Sequence, residues 1–323
     1  MPPFKKLNIK VKPQDNSGFG ASSAFNTGRF VNKDGKANIV KSGIPFFERY
    51  SIYHSLLDFP RWKFALTILG FFISINIVFA SFYYTIGVDK LGGVLLGSPL
   101  QNFAEAFFFS AQTFTTVGYG RINPSGFLDS TIAAMEALTG LLSFAVVTGL
   151  FYGRFSRPRA FLKFSENMVV APYKNATALM FRLVPYKNNQ LTEAEVKITI
   201  AMTIDEEGKQ VNKFYPADVE ISKINSLTLS WTLVHALDER SPLYNFTLED
   251  MQQAKVQVLI FVKAFDEAFS TTVVARSSYI SDEIIYGAKF TIMYEANEEG
   301  TGTILYINRL NDIEKAELPL TVV

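Results

Sequence analysis

The sequence of 323 residues contains no cysteine and only two histidines, His54 and His235. Without cysteine, the chain has neither disulfides nor thiolate zinc or redox centres. A Gly-x-Gly-x-x-Gly motif is also missing, so a nucleotide-binding Rossmann regulator is not expected. No catalytic motif stands out, which argues against an enzyme. Neither a cofactor nor a nucleic-acid partner is expected.

Charged residues are missing from a long central stretch. Residues 64–86 contain no charge over 23 positions. A helix needs about 20 apolar residues to cross a bilayer, so a transmembrane span is predicted over residues 62–87. The alternative, a buried helix of a large soluble enzyme, is disfavoured because such helices rarely run this long without a charge. A second span is predicted over residues 128–154, where Glu136 is the one charge between residues 130 and 153.

The segment between the two predicted spans is hydrophobic but short. Residues 101–114 cannot cross a membrane, and a segment of this length between two spans predicts a re-entrant helix. Basic residues flank the spans on one side, before the first and after the second. The positive-inside rule then places both termini in the cytoplasm.

The region before the first span divides into two parts. Residues 1–43 are rich in Gly, Ser, Asn and Lys and have no periodicity, which predicts a flexible cytoplasmic arm. Residues 44–61 mix aromatic and charged side chains, which favours an amphipathic helix in the membrane interface over a loop.

Residues 116–120 read TVGYG and directly follow the predicted re-entrant helix. The same pentapeptide lines known potassium-selective filters, where rings of backbone carbonyls replace the hydration shell of the ion. Its glycines allow backbone angles that other residues rarely adopt. One loop cannot encircle an ion, so a homotetramer is expected. The predicted filter consists of Thr116, Val117, Gly118, Tyr119 and Gly120, of which the first four supply the K+ sites.

After residue 157 the hydrophobic period changes to two. Alternating apolar residues occur at Val196, Ile198, Ile200, Met202 and Ile204. Residues 227–233 and 288–294 alternate likewise, and 256–262 form a more continuous apolar run. These patterns predict a β-sandwich over residues 157–310 and a C-terminal tail over 311–323. His235 ends one predicted strand, where a structural hydrogen bond is favoured over a catalytic or metal-binding role.

Four motifs in this order resemble those of the inward-rectifier potassium channels, most closely the prokaryotic members. They are residues 109–120 (FSAQTFTTVGYG), 154–160 (RFSRPRA), 234–244 (VHALDERSPLY) and 276–280 (RSSYI). The resemblance covers roughly residues 45–310. It implies an α-helical two-span pore domain with a re-entrant pore helix and an all-β, immunoglobulin-like cytoplasmic sandwich. It also implies a homotetramer in the bacterial inner membrane, gated by lipid and by movement of the cytoplasmic domain.

Departures from the animal branch of this family affect the expected block of the pore. Gln112 replaces a pore-helix Glu, and the cysteines that flank the pore loop are missing. The acid of strong rectifiers aligns with Phe144. In the cytoplasmic pore the resemblance points to Glu207, Lys263 and Phe265, and Lys263 stands where a second acid occurs in that family. Mg2+ and polyamines are therefore expected to block only weakly.

The resemblance and the spacing also suggest a gate and a lipid site. The pore and gate candidates are Glu136, Gly140, Phe144, Gly149 and Tyr152. For Glu136 a role in rectification and a structural contact with the pore helix both remain open. For Tyr152 a gate is favoured, in which four tyrosine side chains form a ring that closes the pore. The alternative is a tyrosine that faces lipid headgroups. The candidates for binding the phosphate of anionic lipids or phosphoinositides are Arg61, Lys63, Arg154, Arg157 and Arg159, with ordinary positive-inside flanking as the alternative.

Three functions remain for the whole chain. A lipid-gated potassium channel is favoured. The alternatives are a two-span potassium pore whose sandwich senses another ligand, and a membrane-anchored binding module that does not conduct.

Overall fold

The structure is a computed structural model that describes residues 8, 10–14, 19, 28–45, 51–174, 176–206 and 209–319. The chain divides into two compact units. One is Ser42–Arg157, and the other combines Met1–Lys41 with Pro158–Val323. We describe each unit by itself.

The first unit is helical. Its helices are α1 (Ile52–Asp58), α2 (Arg61–Ile86), α3 (Pro99–Phe114) and α4 (Phe127–Phe155). Two of them, α2 with 26 residues and α4 with 29, are long and apolar enough to cross a membrane, with mean hydropathies of 2.1 and 1.7. Only 17% of their most apolar windows is buried inside the unit, which suits a helix facing lipid or other subunits better than a core helix. Short strands β1 (Leu91–Gly92) and β2 (Asn123–Pro124) pair between the long helices.

Local capping decides where the two shorter helices begin and end. Helix α3 begins two residues before the predicted start, because Ser98 caps it in a capping box with Gln101 and Pro99 suits the first turn. Helix α1 covers only part of the predicted 44–61, and residues 46–50 lie outside the described residues. It ends at Asp58, because Phe59 precedes Pro60 and the residue before a proline disfavours helical angles.

The second unit is built from two five-stranded sheets. Its strands are β3 (Leu162–Phe164), β4 (Met168–Tyr173), β5 (Ala176–Pro185), β6 (Leu191–Glu206), β7 (Lys209–Ala217), β8 (Lys223–Leu227), β9 (Trp231–Ala236), β10 (Gln257–Asp266), β11 (Thr271–Ile280), β12 (Ile284–Tyr286), β13 (Ala288–Phe290), β14 (Tyr294–Ala296), β15 (Thr303–Leu305) and β16 (Ile313–Lys315). One five-stranded sheet has the order β11-β10-β6-β7 with β8 also paired to β6, and the other has the order β12-β4-β5-β3 with β9 also paired to β5. Two small two-stranded sheets, β13-β16 and β14-β15, and helix α5 (Leu248–Gln253) complete the unit.

The predicted sandwich is confirmed by a core that draws buried residues from both sheets. The alternating residues of β6, from Val196 to Ile204, all point into this core. Residues 227–233, however, are not one strand. The chain leaves the first sheet after Leu227 and enters the second at Trp231, with Leu229 37% exposed in the crossing.

The prediction of a flexible arm over residues 1–43 is wrong for residues 28–38. Phe30 and Val31 are buried with Ala201, Phe214 and Leu259 on the outer face of the β6–β7–β10 sheet. This contact also explains why Ala201, expected on the solvent side of β6, is buried. Burial of the apolar side chains of Phe30 and Val31 stabilises this contact, although the surrounding sequence is polar.

Hydrogen bonds fix the same segment along its length. The Gln257 side chain accepts from the Phe30 amide at 2.9 Å and donates to the Gly28 carbonyl at 2.6 Å. The predicted C-terminal boundary at residue 310 is also wrong, because β16 (Ile313–Lys315) pairs with β13 and Leu318 packs on the core. Strand β13 supplies the open edge that makes this pairing possible.

Candidate ion-conduction site

The loop after α3 is tied to the last turn of that helix. The amide of Thr116 donates to the Thr113 carbonyl at 3.0 Å, and the amides of Val117 and Gly118 donate to the Gln112 carbonyl at 2.9 and 3.3 Å. The loop therefore starts at the C-terminal end of α3, where the unpaired carbonyls and the helix dipole favour a cation.

Backbone conformation alternates along this loop. The φ angles of Thr116, Gly118 and Gly120 are +59°, +51° and +85°, whereas Val117 and Tyr119 do not have positive φ. In a regular strand successive carbonyls point to opposite sides. Alternating the hand of the backbone reverses every second peptide plane, so that successive carbonyls share one side. A β-carbon at Gly118 would meet no atom within 4 Å, so glycine is required here by conformation and not by space.

An ion pair holds the far end of the loop. Arg121 contacts Glu105 of α3 at 2.7 Å and donates to the Gly93 carbonyl at 3.2 Å. Sequence reasoning did not identify this pair, although opposite charges at the two ends of the predicted pore loop were a usable signal. The loop is thus anchored at both ends to elements of its own subunit.

In the C-terminal half of α4, some side chains pack inside the subunit and others are exposed. Phe144 and Tyr152 are 72% and 74% exposed, whereas Leu150 is 7% exposed. The Phe151 ring packs edge-on against Phe64 of α2, with ring centroids 5.1 Å apart. Gly149 is exposed, and a β-carbon there would meet nothing within 4 Å.

Comparisons with known proteins agree with this architecture. A family model described as the inward rectifier potassium channel C-terminal domain matches residues 162–322, and one described as ion channel matches residues 68–157. The inward rectifier potassium channel Kirbac3.1 of Paramagnetospirillum magnetotacticum is 34% identical over 84% of this chain and 91% of its own length. The chain belongs to the inward rectifier potassium channel family. It is a membrane-spanning potassium channel subunit and not an enzyme.

More distant members of the inward rectifier family match a smaller part of their own length. The channel irk-1 of Caenorhabditis elegans is 25% identical over 81% of this chain and 52% of its own length. The G protein-activated channel 4 of Mus musculus is 26% identical over 81% of this chain and 68% of its own length. These relatives carry the likeness across both the pore and the cytoplasmic units.

Two of the predicted pore and gate residues do not face a pore in this inward rectifier subunit. Glu136 is fully buried inside the subunit, where it accepts a hydrogen bond from Tyr83 at 2.7 Å and contacts Ser110 of α3. Gly140 is also buried, and a β-carbon there would lie 1.9 Å from the Phe114 carbonyl. The prediction that Gly140 lines the pore together with Phe144 and Tyr152 is therefore wrong, because Gly140 belongs to the side of α4 that packs on α3.

Two of the predicted lipid-binding residues form contacts within the protein, and the other three are exposed. The Arg154 guanidinium donates to the carbonyls of Leu56, Leu57 and Phe59, which are the unpaired carbonyls at the end of α1. Arg157 pairs with Asp58 at 2.5 Å. Arg61, Lys63 and Arg159 are exposed. Arg154 thus has a structural role, since it joins α4 to the end of α1. The sequence did not reveal this role, because no local pattern relates residues almost 100 positions apart.

The predicted cytoplasmic-pore residues are only partly described. Glu207 lies outside the described residues. Lys263 and Phe265 are exposed on β10, where Lys263 lies opposite Glu195 of β6 and a register shift separates the two positions. His235 is buried, with Nδ1 2.6 Å from the Asp218 carbonyl and Nε2 2.8 Å from the Ser241 hydroxyl. These two bonds support the expected structural role of His235.

Proposed function

We propose that four copies of this chain form a potassium-selective pore in which the carbonyls of residues 116–119 hold the permeating ions. The alternating backbone of this loop is the observation that carries the proposal, because it turns successive carbonyls to one side. One loop supplies one side of an ion's coordination shell, so several copies must surround a shared axis. The exposure of Tyr119, 81% in a single subunit, is consistent with neighbours that cover it.

The direct test is ion flux in liposomes that contain the purified full-length protein. Potassium uptake should exceed sodium uptake by at least about a hundredfold if the carbonyl rings select by dehydration. A Gly118→Asp variant should lose the selective flux while it still assembles, because a β-carbon makes φ of +51° less favourable than it is for glycine and each subunit would add a negative charge beside the ion sites. Selective flux through Gly118→Asp would exclude this loop as the filter. The absence of any flux from the assembled native protein would favour the non-conducting binding module.

The expected block by internal cations follows from the side chains at the proposed pore. Phe144 is exposed and apolar at the position where strong rectifiers carry an acid, and Glu136 is enclosed within the subunit. A cationic blocker therefore gains no carboxylate in the membrane part of the pore. We expect weak block by Mg2+ and polyamines, measured as a shallow voltage dependence of the current.

The location and orientation rest on the basic flanks. Arg61 and Lys63 precede the first span, and Arg154 and Arg157 end the second. Under the positive-inside rule this arrangement favours cytoplasmic termini in a bacterial inner membrane. Accessibility of a single cysteine placed in the Arg121 loop, in a chain that has no other cysteine, would test the orientation.

We assign gating by anionic lipid to the open basic residues near the span ends. Arg61, Lys63 and Arg159 are exposed, and each basic group near an anionic surface contributes about 1 kcal/mol. Arg159 also lines a cavity of about 500 Å3 together with Lys33 and Arg276 in the cytoplasmic unit. These three cationic side chains outnumber the one carboxylate that also lines the cavity, Asp34, which favours the binding of a phosphate group.

The lipid proposal is tested by neutralising single residues. Arg159→Gln should shift the dose response of potassium flux to phosphoinositides, and combining it with Arg157→Gln should shift it further. Lys315→Gln, on the exposed strand β16, also removes one positive charge, lies outside the lining of this cavity and serves as the control. An unchanged dose response in the double variant would remove lipid from this site and favour a sandwich that senses another ligand.

A further inference from the structure

A chain of polar side chains crosses the pore unit behind the filter. Tyr83 of α2 contacts one carboxyl oxygen of Glu136 at 2.7 Å, and Ser110 of α3 contacts the other. The Ser110 hydroxyl also lies 2.9 Å from Oδ1 of Asn76 in α2. The Asn76 amide nitrogen donates to the Phe72 carbonyl at 2.7 Å. Asn76, Ser110 and Glu136 are completely buried.

The four contacts in this chain are hydrogen bonds, and each of them requires one proton. The donors of three of these bonds are fixed. Because the Phe72 carbonyl only accepts, the nitrogen of Asn76 must face it, and Oδ1 must face Ser110. Oδ1 also only accepts, so the single hydroxyl proton of Ser110 points to Asn76. Tyr83 supplies the proton for its own contact with Glu136. The remaining contact, between Ser110 and Glu136, then joins two oxygens with no proton unless the carboxyl group brings one.

We infer that Glu136 is a protonated carboxylic acid that donates to Ser110 and so positions the pore helix between the two spans. The four hydrogen bonds then run in one direction, from Tyr83 through Glu136, Ser110 and Asn76 to the backbone of α2. With an ionised carboxylate, the Asn76–Ser110 pair would hold two facing lone pairs in a fully buried site, which is costly.

The surroundings give a carboxylate no compensation. None of the ion pairs among the described residues involves Glu136. The titratable groups around this network are the Tyr83 hydroxyl, which bonds to Glu136, and Asp129, which lies near Tyr83 and is buried seven residues earlier on α4. Neither group supplies a positive charge. An isolated charge at membrane depth is expensive. A neutral acid avoids this cost and keeps its hydrogen bonds.

The role follows from where the chain meets α3. Ser110 lies six residues before Thr116, on the helix whose last turn holds the filter by the Gln112 carbonyl. Glu136 touches no ion, so it is a positioning residue that acts on the filter through Ser110. This inference rests on the proposed filter for its functional readout, but the protonation state can be measured independently.

Infrared spectroscopy of the full-length channel in lipid tests the protonation state. At neutral pH the native protein minus Glu136→Gln should show the carbonyl stretch of a protonated carboxylic acid. Labelling glutamate with 13C should move this band, which separates Glu136 from Asp129. If Glu136→Gln does not assemble, the label alone in the native protein decides. The absence of a protonated glutamate band would overturn the inference, whatever the flux results.

Flux measurements test the positioning role. Glutamine can donate to Ser110 and accept from Tyr83 as the neutral acid does, so Glu136→Gln should keep potassium flux and selectivity within about twofold of native. Glu136→Ala and Ser110→Ala each break the chain, and their potassium-over-sodium selectivity should fall by about tenfold or more. If Glu136→Gln lost selectivity as strongly as Glu136→Ala, the neutral-donor role would be wrong. If all variants lacked flux but the band were present, the filter proposal would fail while the protonated acid stood.

Discussion

At the scale of single residues, His235 links the stability of the cytoplasmic unit to pH. Its ring is buried and bonds to the Asp218 carbonyl and the Ser241 hydroxyl. Burial lowers the pKa of His235 below its ordinary value, because the charged imidazolium is poorly solvated there. The neutral ring can donate from Nδ1 to the carbonyl and accept from the hydroxyl. The folded state therefore prefers neutral histidine.

The sign of the pH effect follows from this preference. As the pH falls through about 6.5, the unfolded chain binds a proton at this histidine and the folded chain does not, so the stability falls. We expect the apparent Tm of the cytoplasmic unit to drop between pH 7.5 and 5.5 in the native channel and to drop less in His235→Asn. Fluorescence of the buried Trp231 reports unfolding of this unit once Trp62 is replaced by Phe. Equal slopes in the two proteins would contradict the prediction.

Single-residue predictions from the sequence succeeded where the requirement is local and failed where it depends on a distant partner. The glycine at position 118 was predicted from the filter pattern, and its positive φ is a local backbone property. The alternatives for Glu136 could not be resolved from the sequence. Helical periodicity gives the face of a residue but not which of several faces meets α3, and Tyr83 and Ser110 are 53 and 26 positions away.

At the scale of elements, hydrophobic patterns predicted most helices and strands, whereas the way the chain passes between elements remained open. The length and composition of α2 and α4 indicated their positions directly, to within one residue at each end. The alternation over residues 227–233 continued through a crossover between the two sheets, so one predicted strand became parts of two. Residues 28–38 were missed because a pair of apolar residues has no periodicity.

The close packing of α4 on α3 gives a prediction for two glycines of one helix. A β-carbon at Gly140 would lie 1.9 Å from the Phe114 backbone, whereas one at Gly149 would meet nothing within 4 Å. Gly140→Ala must push the pore helix aside and should destabilise the assembled channel by about 1–3 kcal/mol. Gly149→Ala is the matched control and should keep the thermal stability of the assembly, measured by heating and native gel. Similar losses in both variants would show that α3 does not restrain α4 at Gly140.

The same helix carries a prediction for the gate. Tyr152 is 74% exposed, whereas Phe151 is 41% exposed and packs against Phe64 of α2. If four Tyr152 side chains narrow the inner end of the pore, Tyr152→Ala should raise basal potassium flux about tenfold by removing the apolar bulk that dewets it. Phe151→Ala should change flux less, because its side chain is turned towards α2. A tyrosine that faces lipid headgroups would instead give no gain of flux on truncation.

The contact between α1 and the end of α4 also bears on this gate. Arg154 lies two residues after Tyr152 and donates to three carbonyls at the end of α1. A displacement of α1 would therefore pull on the end of α4. This contact connects α1, the predicted interfacial helix, with the proposed constriction through one side chain, within a single compact unit.

At the scale of the whole molecule, charge is distributed unevenly along the sequence. The last 164 residues carry fifteen basic and twenty-two acidic residues, whereas the first 43 carry eight and two. Both segments fall almost entirely within the same compact unit, where the basic first segment offsets most of the acidic excess. The basic first segment does not remain apart, since Arg29 pairs with Glu283 and Lys33 contacts the same carboxylate at 3.4 Å.

Because four subunits share one filter, a defective subunit should act dominantly. If Gly118→Asp subunits assemble at random with an equal amount of native subunits, roughly one sixteenth of the tetramers contain four intact filter loops. Potassium flux per protein should then fall to about that fraction of native, and not to the one half expected if each chain conducted alone. Co-purification through a tag on one subunit type shows that mixed assemblies form, and mixing with native subunits that carry a second tag controls for the procedure. A fall to about one quarter would indicate that two chains, and not four, complete the ion pathway, because a dimer leaves that fraction fully native.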